Sequence, residues 1–346
     1  MMIDPTKAHE LDAFKYDRPL LCVRWSPNGE AIYFSAENRP PQRFTPAAGK
    51  VKPAVSPLAG GHDSWVWSLA VLPDAKTVVT AGYDGRLVWF DTAPEQPTVK
   101  HVRDAHRGWV RGVAASPDGR LVASCGNDRL VRIWDATDAT ERAVLAGHES
   151  DVYELAWRPD GATLASCDHR GIVKEWDVAK AAVRRDVITA SPLWKKDTTF
   201  RAEIGGARSI CFNTDGSILA LGGITDVTNA FAGVGKPVIV LVDWTATRPA
   251  EDDDSDAADP RLRQLRGKGA GNGVCWGVAW HPAGFWIGQA GGGGGGWLRF
   301  FKADADVDFH AVKLPTTARG MALSPDGSRV ALAMADGHLR VYALHG

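Results

Sequence analysis

The stretch that decides the fold is residues 105–135, AHRGWVRGVAASPDGRLVASCGNDRLVRIWD. Two further stretches align with it without gaps: residues 61–91, GHDSWVWSLAVLPDAKTVVTAGYDGRLVWFD, and residues 147–177, GHESDVYELAWRPDGATLASCDHRGIVKEWD. In each copy a histidine lies 28 positions before an aromatic residue, as His106 lies before Trp134. A separation that recurs three times identifies an internal repeat, which indicates a fold built from similar units.

A short turn sequence extends this repeat along the chain. It has the form Pro-Asp-Gly or a variant of it, and it begins at Pro27, Pro73, Pro117, Pro159, Thr214, Pro282 and Pro325. Four of the six intervals are 42 to 46 residues long, and intervals of 55 and 68 residues indicate loop insertions. Between the turns, apolar and polar residues alternate with period two, which predicts a four-stranded antiparallel sheet in each unit.

The Gly-His start and the Trp-Asp end of these copies resemble the WD-repeat family. The resemblance implies an all-β fold, a seven-bladed β-propeller that forms a single domain over residues 1–346. Stacking the blades in a ring buries faces that one sheet alone leaves exposed. Since only four residues follow Tyr342, we expect the last blade to lack its outer strand. Residues 8–17 are expected to supply that strand and so to close the ring.

The resemblance also implies a structural tetrad in which His, Ser or Thr, Asp and Trp are joined by hydrogen bonds. The third unit matches in full with His106, Ser124, Asp128 and Trp134. The second unit matches with His62, Thr80 and Asp84, but Phe90 replaces the Trp. The fourth unit has His148, Ser166 and Trp176, with Arg170 in the place of the Asp. Because the set recurs from blade to blade, a buried network is favoured over a hydrolase triad.

A second set of positions points to function. Six residues before each turn, at the start of the innermost strand, stand Leu21, Trp67, Arg111, Tyr153, Arg208, Trp276 and Arg319. By resemblance, this position lies at the rim of the central channel, on the face that bears the histidine loops. Aromatic and arginine side chains dominate binding hot spots. Trp65, Trp109 and Asp151 lie two positions earlier in their units and extend the patch; packing alone is the alternative explanation for the tryptophans.

Composition limits the partners. Forty Lys and Arg residues against 41 Asp and Glu residues give a net charge of −1, so we expect no nucleic acid and no anionic membrane as partner. The chain start lacks a signal-peptide pattern and no run of about 18 apolar residues occurs. The five cysteines are scattered without a CxxC pair, which favours free, buried thiols in a reducing cytoplasm. We expect a monomer without a metal or cofactor, and the Ala, Gly, Arg and Asp richness favours a bacterial source.

Four insertions and strand-like segments leave alternatives open. Residues 224–236 are expected to form a mobile loop in the last hairpin of the fifth unit, with Phe231 as an exposed partner contact or lid. Residues 245–269, which fail the EF-hand pattern, are expected to form a solvated, disordered loop. The six glycines at 291–296 indicate a hairpin turn. Residues 191–201 are either a peptide-binding feature around Trp194 or a loop packed on a blade edge.

A carboxylate series in the sixth unit is the remaining candidate. Asp304, Asp306 and Asp308 with His310 are expected on one face of an outer strand, where they either block edge-to-edge aggregation or bind a metal. We favour the first of these.

No nucleophile and base stand outside the structural positions of the repeat. The sequence therefore favours a non-catalytic scaffold that binds a protein or peptide on the face with the histidine loops. A small-ligand binder or enzyme that uses the central channel is one alternative. A reader of modified peptides, in which the aromatic and arginine ring grips a phosphate or methyl-lysine, is another.

Overall fold

The computed structural model describes residues 2–46, 53–189, 191–198, 201–230, 232–247, 259–292 and 295–346. A short 3-10 helix, Pro5–Lys7, and strand β1 (His9–Lys15) come first. Blade 1 follows with β2 (Leu20–Trp25), β3 (Ile32–Ala36), β4 (Arg39–Thr45) and β5 (Ala54–Pro57). Blade 2 contains β6 (Val66–Val71), β7 (Thr77–Gly82), β8 (Arg86–Asp91) and β9 (Thr98–Asp104). Blade 3 contains β10 (Val110–Ala115), β11 (Leu121–Gly126), β12 (Val131–Asp135) and β13 (Glu141–Leu145).

The remaining strands form four more blades and one hairpin. Blade 4 contains β14 (Val152–Trp157), β15 (Thr163–Asp168), β16 (Val173–Asp177) and β17 (Ala182–Ile188). A two-stranded hairpin then has β18 (Trp194–Asp197) and β19 (Ala202–Gly205). Blade 5 contains β20 (Ser209–Phe212), β21 (Ile218–Asn229), β22 (Val234–Asp243) and β23 (Leu262–Leu265). Blade 6 contains β24 (Val274–His281), β25 (Phe285–Gly292), β26 (Gly295–Lys302) and β27 (His310–Leu314), and blade 7 has β28 (Ala318–Leu323), β29 (Arg329–Met334) and β30 (His338–Ala343).

Strand β1 completes blade 7, as the sequence predicts. It pairs antiparallel with β30, with Ala13 opposite Arg340, and the strand order of the sheet is β1-β30-β29-β28. Within each of the other blades, neighbouring strands are consecutive in the chain. The prediction of seven four-stranded antiparallel blades closed by the N-terminal strand is confirmed.

The hydrophobic core lies between the blades because alternate side chains of a strand point to opposite faces. In β8, Val88 and Phe90 pack in a cluster with blade 1, whereas Leu87 and Trp89 pack in a cluster with blade 3. All four side chains are fully buried. Trp89 contacts the edge of Trp134 with ring centroids 6.2 Å apart. Each blade thus seals the faces of its two neighbours, and no blade has a core of its own.

The long hairpin of blade 5 corrects one expectation. Most of residues 224–236 belongs to β21 and β22, which are the second and third strands of the blade, not its last hairpin. Ile224, Val227 and Ala230 are buried together against Ile204 of the preceding hairpin. The mobile-loop prediction is wrong for these residues, because the two strands stay paired up to Thr225 and pair again at Asn229, and the apolar side chains between these points are buried. Phe231 lies outside the described residues.

The described part of residues 245–269 is also better ordered than predicted. Arg261 is buried, donates to the Val187 carbonyl oxygen over 2.8 Å and pairs with Asp259 at 2.6 Å. The residues that follow it form β23, the outer strand of the blade. In this strand, Arg263 lies 3.4 Å from Asp306, which belongs to the loop before β27. The acidic run at 251–256 lies outside the described residues.

Two predictions for blade 6 are settled by its pairing. The glycines at 291–292 and 295–296 pair with one another at the end of the β25–β26 hairpin, and residues 293 and 294 lie outside the described part of the chain. The outer strand β27 begins only at His310, so the placement of Asp304, Asp306 and Asp308 on it is wrong. Asp308 is instead buried and pairs with Arg299 at 2.8 Å, because a buried guanidinium requires a partner.

The segment between blades 4 and 5 forms the short β18–β19 hairpin. Leu193 is buried in the core between blades 4 and 5, and Trp194 is half-buried next to it. The described part of this segment therefore packs on the blades.

Candidate functional site

A bulge in the innermost strand sets the direction of the rim side chains. In six blades the register of the first two strands shifts around the rim residue, as between Val110 and Gly112 around Arg111. A bulge leaves one residue unpaired and turns its side chain away from the sheet. The residues unpaired in this way are Leu21, Trp67, Arg111, Tyr153, Trp276 and Arg319. In the seventh case, Arg208 immediately precedes β20 and donates its N–H to the Gly222 carbonyl oxygen over 2.7 Å.

All seven predicted rim residues line one cavity on the propeller axis. The cavity has a volume of about 600 Å³, and its lining continues to Pro117 and Pro159 of the Pro-Asp-Gly turns. The rim residues and the turns lie at opposite ends of the innermost strands, so the cavity runs through the ring. The seven positions predicted from the spacing of the repeat therefore lie together in the structure.

Aromatic rings form a continuous stack on one side of this rim. The ring of Tyr83 stacks on Trp109 with centroids 4.1 Å apart and an interplanar angle of 8°. The ring of Tyr83 also stacks with the rings of Trp67 and Trp65, at centroid distances of 5.6 and 6.4 Å. The indole N–H of Trp65 donates to Asn38 Oδ1 over 2.6 Å. Trp109 is the exposed end of this stack, with 41% of its surface accessible.

Two arginines continue the stack around the rim. The guanidinium carbon of Arg111 lies 4.5 Å from the centroid of Trp109 and 4.7 Å from that of Tyr153. The guanidinium carbon of Arg208 lies 5.0 Å from the centroid of Tyr153 and 5.9 Å from that of Trp276. Contacts of this kind attract a cation to the ring face. Tyr153 thus lies between the two guanidinium groups, and the side chains are held in a fixed arc.

A further set of residues supports the rim side chains and was not predicted from the sequence. One repeat position holds Tyr83, Asn127, His169 and Glu37 in different blades. The backbone N–H of each of these residues donates to the carbonyl oxygen of the residue two positions before the rim residue of its blade. Asn127 Oδ1 accepts from Arg111 Nε over 2.8 Å, and Glu37 pairs with Arg319 at 2.6 Å. Alignment of the repeats at the residue before Asp84 and Asp128 would have identified this position. Asp151, predicted to extend the patch, contributes its carbonyl oxygen to His169 N at 2.8 Å.

Glu154 is an unusual residue inside the channel. It follows the rim residue of its blade, at a position that holds Cys22, Ser68 or Gly112 in other blades. Its carboxyl group lines the cavity, and burial raises its pKa from the ordinary value to about 8 despite the opposing effect of Arg24 and Arg208. At neutral pH the carboxyl group is therefore largely protonated.

The raised pKa of Glu154 predicts a pH-dependent stability. A group whose pKa is higher in the folded than in the unfolded state stabilises the fold below its unfolded pKa, and this stabilisation is lost as pH rises through the folded value. The positive charges of Arg24 and Arg208 favour the ionised carboxylate and so oppose this loss. The other titratable groups near the carboxyl are Cys22, Cys125, Cys167 and Tyr153. We expect stability to fall between about pH 4.5 and pH 8. Glu154→Gln should remove that pH-dependent component. At pH 8.5 its free energy of unfolding, measured by denaturant titration, should exceed that of the wild type by about 1–2 kcal/mol. Equal slopes of stability against pH in both proteins would contradict this.

The histidine networks are complete in two blades. In blade 3, His106 Nδ1 lies 2.8 Å from Asp128, and its Nε2 lies 2.8 Å from Ser124 Oγ, which accepts from the indole N–H of Trp134 over 2.9 Å. This arrangement satisfies every donor if the serine hydroxyl donates to Nε2 and Nδ1–H donates to the carboxylate. Burial opposes ionisation of Asp128, but the hydrogen bond from His106 lowers its pKa. The network ties the loop before β10 to strands β11 and β12.

Blade 2 has the same network without its indole donor. His62 Nδ1 lies 3.0 Å from Asp84, and its Nε2 lies 2.7 Å from Thr80 Oγ1. Phe90 fills the core position of the missing tryptophan. Trp89 points to the opposite face and its indole nitrogen has no hydrogen-bond partner in the described structure.

Blade 4 corrects the assignment of its acidic member. Asp168, two positions before Arg170, lies 3.0 Å from His148 Nδ1. The Nε2 atom of His148 lies 2.7 Å from Ser166 Oγ, which accepts from Trp176 over 2.7 Å. The network is therefore complete, although Arg170 occupies the position at which the repeat alignment places the Asp. Arg170 points outward and only approaches Glu203 at 4.0 Å.

The thiols do not form a reactive centre. Four cysteines are buried and form no disulfide bond: Cys22, Cys125, Cys167 and Cys275. Burial raises the pKa of Cys167 and Cys275 to about 12 and that of Cys125 well above its ordinary value. A thiol in that state is a poor nucleophile. Among the described residues, no three His, Cys, Asp or Glu side chains are grouped so that they could hold a metal ion.

The fold and the axial site define the class of protein: a seven-bladed β-propeller with an aromatic and arginine rim around its channel. Residues 56–91, 97–135 and 139–177 match the family model described as WD domain, G-beta repeat. Residues 56–177 therefore contain three WD repeats of a seven-bladed β-propeller. A search of curated proteins found no match. In the part of the chain that the structure describes, no helix has the length and apolarity needed to cross a membrane.

Proposed function

We propose that this protein is a non-catalytic interaction scaffold that binds a segment of a protein partner at the rim of its channel. The observation that carries the proposal is the fixed arc from Trp109 through Arg111, Tyr153 and Arg208 to Trp276. Such side chains gain contact area and hydrogen bonds with little loss of rotamer entropy, because stacking already restricts them. WD-repeat propellers commonly serve as such platforms; that analogy supports the class of function but does not identify the partner.

The blade networks support this role physically. They lock the loops that carry Trp65 and Trp109 to the strands below, through His62 and His106. A rigid scaffold lowers the ordering cost of binding. The proposal therefore places specificity in the rim side chains and stability in the networks beneath them.

A double substitution of the rim tests the proposal. Arg111→Ala with Trp276→Ala should reduce partner recovery in affinity purification from the native organism at least tenfold, since hot-spot residues each contribute about 2 kcal/mol or more. Arg120→Ala is the matched control, because that arginine is exposed on a Pro-Asp-Gly turn at the other end of the ring. Thermal denaturation must show that both variants are folded. Unchanged recovery with the folded double variant would argue against the proposal.

The second candidate function is small-ligand binding in the channel. A cavity of about 600 Å³ lies within the range of small-molecule sites. It would be favoured if a metabolite co-purified with the protein and was retained by the rim double variant.

A further inference from the structure

The arginines that line the channel differ in whether a carboxylate pairs with them. They are Arg24, Arg111, Arg208 and Arg319. Arg319 pairs with Glu37 at 2.6 Å, whereas no carboxylate of the described residues forms an ion pair with the other three. Glu154 is the single acidic residue in the described lining of the cavity. The channel therefore holds more positive than negative charge, and its narrow walls concentrate the resulting potential.

Arg208 has the least satisfied guanidinium group of these. Its Nη1 atom is buried and has no hydrogen-bond partner among the described residues. Burial lowers its pKa, and the positive charge of Arg111 lowers it further. A buried donor without an acceptor is costly, and buried arginines are normally paired. The arrangement indicates that an acceptor from outside the chain completes it.

Arg111 is positioned to donate hydrogen bonds to the same external acceptor. Its Nε donates to Asn127 over 2.8 Å, and the guanidinium plane rests between Trp109 and Tyr153. These contacts, together with an interaction with the Tyr83 hydroxyl, orient the guanidinium group at the cavity. The protonated carboxyl of Glu154, with its pKa of about 8, does not neutralise either arginine at pH 7.

We propose that the channel mouth is an oxyanion site that takes one carboxylate or phosphate group carried by the partner segment. Arg208 and Arg111 are the binding cations, and the rings of Trp67 and Trp276 flank the entry. The planar fork of a guanidinium matches both oxyanions and binds them through charge-assisted hydrogen bonds. This inference rests on the proposed scaffold function and assigns the chemistry of its ligand.

Calorimetric titration with defined probes tests the site. Three acetylated, amidated hexapeptides that differ only in a central Glu, phosphoserine or Gln are titrated, alongside inorganic phosphate. We expect the Glu or the phosphoserine peptide to bind at least tenfold more tightly than the Gln peptide, and the stronger of the two identifies the oxyanion. Equal affinity for all three peptides, or no binding of either anionic peptide while inorganic phosphate binds, would overturn the proposal.

Variants link that binding to the assigned residues. Arg208→Gln and Arg111→Gln should each weaken the anionic peptide at least tenfold, while Arg208→Lys retains part of the affinity because the charge remains. Arg107→Gln is the matched control, since Arg107 is exposed in the histidine loop of blade 3 outside the channel lining. Folding of each variant is checked by its melting temperature. Full affinity in a folded Arg208→Gln protein would contradict the assignment.

The two proposals fail differently. If partner recovery depends on Arg111 and Trp276 but no oxyanion binds, the oxyanion site is wrong and the scaffold function stands. If the anionic peptide binds through Arg208 but no protein is recovered by the intact rim, the scaffold function is wrong and the site is supported.

Discussion

Removing residues 2–17 is expected to destabilise the whole ring, with a melting temperature at least 10 °C below that of the wild type or with insoluble protein. The deletion takes away β1 and leaves β30 as an open edge. It also removes Phe14 and Tyr16, whose rings contact Phe44 and Phe34 of blade 1 with centroids 5.0 and 5.2 Å apart. Since β1 joins blade 7 to blade 1, its loss opens the seam of the propeller, and unpaired edges promote aggregation.

A shorter deletion is the control for this effect. Removing residues 2–7 takes away the 3-10 helix and leaves β1 intact, so the melting temperature should fall by much less. Differential scanning calorimetry compares the two proteins with the full chain. A melting temperature of the longer deletion within 3 °C of the wild type would show that the ring does not depend on β1.

Asp168→Ala is expected to cost about 3 kcal/mol in the free energy of unfolding. The carboxylate is buried, faces His148 Nδ1 at 3.0 Å and accepts backbone N–H bonds from Arg170 and Ile172 at 2.9 and 3.1 Å. Its removal leaves buried donors without acceptors, and each such loss costs about 1–3 kcal/mol. Urea denaturation at pH 7 measures the change.

Arg170→Ala provides the matched comparison for Asp168. Its side chain is 46% exposed, and substitutions of exposed residues usually change stability by less than about 0.5 kcal/mol. A larger loss at Arg170 than at Asp168 would mean that the network of blade 4 is assigned to the wrong residue.

The regular spacing of the repeat made it possible to predict the fold and the rim residues from the sequence. The Pro-Asp-Gly turns mark the end of each innermost strand, so counting back six residues reaches the bulge that points Arg111 and its equivalents into the channel. The closing strand was predictable because the last unit ends one strand short. These features depend on local spacing, which the sequence states directly.

A substitution of one repeat position by another was harder to predict. At Gly82 an added Cβ would lie 2.5 Å from His62 Nδ1, so a side chain at this repeat position reaches the histidine. Asp168 occupies the same position in blade 4. A search at the usual aspartate position therefore missed Asp168, whose role follows from the geometry of the equivalent position in blade 2.

The insertions were misjudged for a related reason. The acid and arginine pattern at 245–269 is typical of a solvated loop, but Arg261 is buried and bonds to Asp259 and to the Val187 carbonyl. Asp308 pairs in the same way with Arg299. Burial of these ion pairs, and a contact as distant in sequence as that between Arg261 and Val187, make an apparently solvated segment part of a blade edge. A single sequence does not show that burial.

Site-specific photo-crosslinking tests the central claim most directly. A photoreactive phenylalanine analogue replaces Trp109 at the channel rim in one protein and Arg120 at the opposite end of the same blade in another, and each is irradiated in extract of the native organism. We expect a discrete crosslinked partner from position 109 and none from position 120. Crosslinking from position 120 alone would place the interaction surface on the other face and contradict the account.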